Sequence, residues 1–422
     1  MNHEVIKQVI YEQHAIIRSA VINERAYTFE PNANYILTGL RRSGKSTLLF
    51  SIVQKLIADG ADWNQIVYVN FEDERLVEFE LADFSDLVEV SSELSDKTPY
   101  FFLDEVQNVD GWERFARRMA DAKEHVYITG SNSKMLSSEM EARLGGRYLS
   151  KVIMPYNFKE YLTARQIPYN DEALYTSKGI GRLKKASEEL MHDGGFPESL
   201  DFIDKRVYVE NVYQKVLLGD IALRNDIRKV TGLRILMKKI AETICSEISY
   251  SKLYRVVNGI GVKISKDSII SYIEYAKQAY LLFSLENYFA KFTERESTPK
   301  YYFEDNGLLN LFLINKDTAL LENIVAVALK RSCREAFYYL KSEKTSIDID
   351  FYVPEEATAI QVAYSILETA AYDREVNNLL KLADSFPEAK RLCIVTLDEE
   401  KMIQHHGVKI EVIPLYRFLL ER

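Results

Sequence analysis

The run Gly39-Leu40-Arg41-Arg42-Ser43-Gly44-Lys45-Ser46-Thr47 constrains the fold of this 422-residue chain more than any other segment. A glycine-lysine-serine loop of this spacing wraps an anion with backbone N–H groups when a strand leads into it and a helix leads out. Both flanks are present: Tyr35 to Thr38 is a short β-rich run, and Thr47 to Leu56 carries apolar residues at helical spacing. The pattern therefore predicts a P-loop in a parallel α/β domain, built to hold a nucleoside triphosphate. Backbone N–H groups from Gly39 to Lys45 turn toward the β-phosphate, and Gly39 and Gly44 permit a close approach that side chains would block. Lys45 reaches the β- and γ-phosphates, the Ser46 hydroxyl binds Mg2+, and Thr47 packs or hydrogen-bonds the loop.

A second segment supplies the expected acids. Tyr100-Phe101-Phe102-Leu103 is an apolar strand ending in Asp104-Glu105. Asp104 is placed to ligate hydrated magnesium, and Glu105, one residue on, to polarise the attacking water. Acid pairs also cap strand ends with no chemistry; it is the P-loop that gives this pair a role. A third strand, His125 to Thr129, runs into Gly130-Ser131-Asn132-Ser133, whose polar end should lie beside the other strand ends, where ligand crevices open. Asn132 is the first choice for contacting the γ-phosphate, with Thr129 and Ser131 behind it, and a plain helix cap is the competing reading. A further strand, Gln65 to Asn70, ends near Glu72 and Asp73.

Composition limits what else the chain can be. Its 47% apolar content supports folded structure throughout and its length allows two or three domains. A formal charge of −9 argues against a broadly basic surface for coating nucleic acid. The cysteines, Cys245, Cys333 and Cys393, lack zinc-ligand spacing and read as buried thiols. No leader pattern and no uninterrupted apolar run of membrane-spanning length is seen, so the expected location is cytoplasmic.

The pattern divides the chain into a helix over residues 5–24 within an N-terminal segment 1–24, a P-loop domain over 25–155, a helical subdomain over 156–231, a winged-helix-like domain over 232–304, and an α/β tail over 305–422. Trp112, Phe115 and Met119 recur as the buried stripe of a helix. Arg147, with Arg143 behind it, stands where an arginine could stabilise the γ-phosphate of its own or an adjoining subunit, so a homo-oligomer is one expectation; an interdomain salt bridge fits equally. Gly194-Gly195-Phe196-Pro197 reads as a turn. In the middle region, helices over 233–244, 251–257 and 265–279 precede a hairpin of 280–288 with 300–303. If nucleic acid is a partner, residues 251–280 are its reader, although Lys263, Lys266 and Lys277 make a thin positive set. The tail alternates: a helix over 320–329, strands over 335–340, 347–352 and 358–363 with a turn at Pro354-Glu355-Glu356, a helix over 374–382, and a strand over 391–396.

Taken together, these motifs resemble one family. Phe102-Leu103-Asp104-Glu105-Val106-Gln107, Ile128-Thr129-Gly130-Ser131-Asn132-Ser133 and Leu144-Gly145-Gly146-Arg147-Tyr148, added to the P-loop, are similar to the bacterial and archaeal AAA-type ATP-binding proteins that carry a C-terminal domain of unknown function, DUF4143-like, with a restriction-endonuclease-like fold. The resemblance runs from about residue 20 to the C-terminus. It implies ATP rather than GTP, a nucleoside-triphosphatase core, a winged-helix middle and a nuclease-like tail.

In metal-dependent nucleases of that fold a helix acid, a strand acid and a Glu-x-Lys pair cooperate. The matching positions here are Glu322, Asp350 and Gln361-Val362-Ala363, with Asp348 nearby. Gln361 is a neutral amide where an anionic ligand is required, and Ala363 removes the lysine that would stabilise the phosphorane. The tail is therefore expected to bind a protein partner or support assembly rather than cut, with Glu322 and Asp350 capping or pairing with Lys341.

Overall fold

Five short β-rich runs pair in parallel in the order β2-β3-β4-β1-β5: β1 (Asn34–Thr38), β2 (Ile66–Asn70), β3 (Tyr100–Asp104), β4 (His125–Gly130) and β5 (Tyr148–Val152). The first four strands are near-continuous apolar runs because both faces of the sheet are covered. On one face Ile36, Val67, Phe101 and Val126 pack with residues of α1 (His3–Ser19), α3 (Phe84–Leu94) and α4 (Trp112–Asp121). On the other, Tyr35, Leu37, Tyr68 and Phe102 pack with Leu48, Leu49, Ile52 and Val53 of α2 (Lys45–Ala58). Trp112, Phe115 and Met119 are buried on α4, as their spacing indicated. A short α5 (Ser138–Leu144) precedes β5.

The computed structural model describes residues 1–291, 295, 297–314, 317–333, 336–405 and 407–422. They form two compact units, Met1–Met154 with Gln278–Tyr280, and Pro155–Lys277 with Leu281–Arg422. The N-terminal helix stops at Ser19, short of the expected residue 24, because Ala20 turns extended and its N–H caps back onto the Ile17 carbonyl. Among the described residues no helix is long and apolar enough to cross a membrane.

The second unit opens with α6 (Phe158–Ala164), α7 (Asp171–Tyr175), α8 (Ser177–Asp193) and α9 (Lys205–Lys215), the last running into a π-helical stretch, Val216–Leu223. Three further helices, α10 (Val230–Glu242), α11 (Tyr250–Gly259) and α12 (Lys266–Gln278), precede an antiparallel pair, β6 (Leu282–Leu285) and β7 (Lys300–Phe303). The tail forms a mixed sheet in the order β12-β13-β11-β10-β9-β8, from β8 (Tyr338–Ser342), β9 (Ile347–Val353), β10 (Thr358–Val362), β11 (Arg391–Thr396), β12 (Lys401–His405) and β13 (Val408–Pro414). Residue 335, the start of one expected strand, lies outside the described residues. The turn at Pro354-Glu355-Glu356 joins the antiparallel β9 and β10.

The expected boundaries at 231 and 304 do not separate compact units, and the reason lies just after β7. Asp305 accepts a hydrogen bond from the Gly195 N–H at 2.7 Å. Asn306 donates to the carbonyls of Met191 and Leu320, both at 2.8 Å. Arg331 on the helix Asp317–Cys333 pairs with Glu160 of α6 at 3.1 Å. These side chains are themselves buried or nearly so and tie segments about 110 to 170 residues apart into one core. The Gly194-Gly195 turn belongs to this junction: a Cβ on Gly194 would stand 2.0 Å from Asp305 Oδ1.

Candidate active site

The loop after β1 closes tightly on itself. Gly39 (φ +144°), Arg42 (φ 64°) and Gly44 (φ 94°) take positive backbone angles, and the Ser43 N–H returns to the Leu40 carbonyl at 3.1 Å. Gly44 caps α2 in the left-handed conformation and, as a glycine, offers the helix N–H groups no capping side chain. The start of a fourteen-residue helix is thereby left for an anion. Ser43 Oγ is buried with no hydrogen-bond partner among the described residues. An uncapped helix start, an orphan hydroxyl and a loop with glycine at its close approaches all fit a triphosphate.

Lys45 is buried and folds back along the loop, donating to the carbonyls of Gly39 (3.1 Å) and Leu40 (3.2 Å). Its ammonium lies 3.7 Å from Glu105 Oε1. The parallel register brings the ends of β1, β3 and β4 to one edge, so the loop faces Asp104, Glu105 and the Gly130–Ser133 turn. Thr129 ties the acids together: its hydroxyl donates to Asp104 Oδ1 and accepts from the Glu105 N–H at 2.9 Å. Tyr68 donates to the other Asp104 oxygen at 2.8 Å.

The two neighbouring acids are pushed in opposite directions. Burial and the adjacent Glu105 raise Asp104 above the usual carboxylate range, against hydrogen bonds from Thr129, Ser46 and Tyr68. Burial also works to raise Glu105, but Lys45, the Gln107 amide and Arg41 outweigh it and leave its carboxyl below the ordinary value. Ser46, like Asp104 an expected Mg2+ ligand, is thus among the hydroxyls that act on this carboxylate.

The remaining expected residues separate. Asn132 is buried, and its Oδ1 accepts from the Lys134 N–H at 2.8 Å, so it caps the short helical turn after β4. Ser131 lies 3.5 Å from Gln107 Nε2. Arg41 pairs with Glu72 at 2.7 Å, and Asp73 with Arg75 at 2.7 Å. Arg147 is not brought to the loop. It stands beside Tyr148, which pairs with Asn34, while the P-loop follows Thr38 opposite Val152. The length of β1, four steps of about 3.3 Å, lies between them. Its guanidinium is held by Asp121 and the carbonyls of Leu144 and Gly145, and Arg143 is held by Glu113 and Glu139. Strand direction thus removes the expected role of Arg147 on a nucleotide in its own P-loop.

Three contributors were assigned no role from the sequence, although Gln107 ends the motif Phe102–Gln107 that carried the resemblance. Arg25 donates to the carbonyls of Ser43 (2.8 Å) and Met154 (2.7 Å), pinning the loop to the chain leaving β5. Tyr68 orients Asp104, and Gln107 donates to Glu105 Oε2.

The tail's acids do converge, around a different lysine. Lys300 of β7 is buried, 3.9 Å from Glu322 and 3.7 Å from Asp350. Burial would lower its pKa, but Glu322, Asp350 and Asp348 outweigh this and keep it charged. The expected partner, Lys341, instead pairs with Glu247 at 3.1 Å. Gln361 Oε1 accepts from the Asp350 N–H and its Nε2 donates to Glu375, so the amide serves as an internal strut. Ala363 is buried in the tail's apolar core. In the segment 251–280, Lys263 and Lys266 are exposed, and Lys277 pairs with Glu274 at 3.2 Å.

Comparison with known proteins agrees with the loop geometry and revises the rest. A family model described as an AAA domain matches residues 31–162, and one described as a domain of unknown function, DUF8612, matches residues 184–319. The domain of unknown function is thus DUF8612 and not the expected DUF4143-like one, and it falls on the helical middle and hairpin rather than on the tail sheet, where the latter was expected. The uncharacterized protein MJ1544 of Methanocaldococcus jannaschii is 31% identical over 433 residues, covering 99% of this chain and 95% of that protein. An uncharacterized protein of Haemophilus influenzae is 28% identical over 359 residues, covering 83% of this chain and 86% of its own length. Among solved structures, the Walker-type ATPase PABY2304 of Pyrococcus abyssi superposes with a TM-score of 0.40 at 16% identity, over 71% of this chain and 100% of that one.

Proposed function

We propose, for a chain that belongs to the family of AAA-domain proteins represented by MJ1544 of Methanocaldococcus jannaschii, that it binds ATP with Mg2+ and hydrolyses it to ADP and phosphate to drive a conformational switch. Membership supports nucleotide binding and hydrolysis in general terms. The observation that carries the specific reading is the uncapped start of α2 facing a buried acid pair whose members Thr129 holds in register.

In this reading the loop N–H groups and Lys45 hold the β- and γ-phosphates, and Ser46 and Asp104 hold the Mg2+. The metal supplies charge neutralisation on the phosphate oxygens. Glu105, kept ionised beside Lys45, accepts a proton from the water that attacks the γ-phosphorus, as the bond to the β–γ bridging oxygen breaks and ADP leaves. Asn132, at the end of β4, is the polar group nearest in role to a γ-phosphate contact. The three helices α10–α12 with the β6–β7 pair make a winged-helix-like module, and the tail a nuclease-like fold without catalysis. The carboxylates of that tail already surround a fixed ammonium, Lys300, which argues against a metal-dependent cut.

The test is phosphate release by the purified chain beside Lys45→Ala and Glu105→Gln, with nucleotide binding measured on each. Lys45→Ala should lose both binding and turnover, while Glu105→Gln should bind ATP and turn over at least about 100-fold more slowly. Equal release by all three would overturn the assignment.

A further inference from the structure

We propose that Gln107 is a positioning residue for Glu105, the group that fixes the orientation of the base during ATP hydrolysis; the proposal rests on the ATPase reading above. Glu105 sits in the left-handed conformation (φ 53°, ψ 43°), which turns the chain sharply into the helical turn Val106–Asn108. That kink brings the Gln107 side chain back onto the residue two positions before it. Its Nε2 donates to Glu105 Oε2, with Ser131 Oγ a further 3.5 Å contact.

The other end of the amide identifies this as more than a packing contact. Gln107 Oε1 is buried with no hydrogen-bond donor among the described residues. Most buried amides find partners at both ends. This one satisfies the end that faces Glu105 and leaves its carbonyl against Gly130, where a Cβ would stand 2.6 Å from Oε1 and 2.0 Å from Met135 Sδ. The glycine ending β4 therefore provides the space the amide occupies.

The Ser131 hydroxyl also hydrogen-bonds the Glu105 carboxylate, and the remaining holds are of two kinds. Thr129 fixes its backbone N–H, and Lys45 lies at Oε1. Lys45 also serves the phosphates in the ATPase reading, and of the two neutral donors to the carboxylate Gln107 acts more strongly than Ser131. A base whose orientation slips by an ångström loses rate without losing substrate affinity.

Turnover and affinity for a non-hydrolysable ATP analogue would be measured for the full chain, Gln107→Met, Glu105→Gln and the double variant, with melting temperature recorded for each. Gln107→Met keeps the volume and removes the donor. Its kcat should fall by about tenfold or more, with analogue affinity within about threefold of the parent. In the Glu105→Gln background the same change should cost nothing further, because Gln107 acts through that carboxylate. Gln107→Met at parental kcat, parallel loss of affinity and rate, or an undiminished effect without Glu105 would each overturn the proposal. Gln107→Leu, which also lacks the donor and carries no charge, gives the same comparison if the methionine variant does not fold. No phosphate release by the parent would remove the ATPase reading itself and equal turnover by Glu105→Gln its choice of base, either taking the proposal with it, whereas activity that needs Glu105 but ignores Gln107 removes the proposal alone.

Discussion

Gly39 has no room for a side chain: a Cβ there would lie 2.1 Å from the Ile153 carbonyl oxygen, in a backbone conformation (φ +144°) that L-residues avoid. Gly39→Ala should therefore push the loop off the chain leaving β5 and weaken ATP affinity by about tenfold or more, because the strain alone is worth about 1–3 kcal/mol. Gly60→Ala is the control, since Gly60 also has positive φ but nothing within 4 Å. Calorimetric titration of both variants decides it; parental affinity in Gly39→Ala would mean the close approach does not position the loop. At this scale the site was legible wherever chemistry demands a contiguous pattern, as in Gly39–Thr47 and Asp104-Glu105. It was not legible where one side chain works across the fold. Arg25 reaches a carbonyl 129 positions away, and Arg147 sits in a suggestive motif at the wrong end of its strand. Neither fact exists before the sheet does.

Among the elements, the hairpin and the tail sheet meet at Lys300. One ammonium faces Glu322 and Asp350, and burial with the neighbouring Glu322 pushes Asp350 above the usual carboxylate range in spite of Lys300. Removing the cation leaves two acids confronting each other with little water to screen them. Lys300→Met should destabilise the second unit by about 3–5 kcal/mol, the cost of stranding one side of a buried pair. Adding Asp350→Asn should recover part of that loss. Urea unfolding checks both, and a Lys300→Met midpoint equal to the parent would show that the charge is not what holds this contact. The missing lysine at Ala363 could be read from the strand pattern. The lysine that does stand there could not, because Lys300 lies on the preceding hairpin, and only tertiary packing brings β7 beside Glu322 of the helix Asp317–Cys333 and Asp350 of β9. The last two strands, β12 and β13, were likewise not anticipated; β12 is exposed along most of its length and lacks the apolar run that marks β11.

For the whole molecule, the division into two units with separate apolar cores has a thermodynamic consequence. The sequence pattern places a first boundary at 155, where the alternation of strands and helices stops; the first unit takes Met1–Met154 together with Gln278–Tyr280, which the pattern assigns to the middle region. The pattern also divides the remainder at 231 and 304, where element type changes, but the buried side chains of Asp305 and Asn306 join those segments regardless of type. Units with their own cores need not melt together. Scanning calorimetry should therefore resolve two transitions. Because the candidate triphosphate site lies wholly in the first unit, ATP with Mg2+ at about 100 times its Kd should stabilise one transition by about 2.7 kcal/mol and leave the other in place. Lys300→Met should lower the transition that ATP leaves unmoved. A single transition raised by ATP and lowered by Lys300→Met would show instead that the two cores unfold as one, and that nucleotide binding is felt directly by the tail.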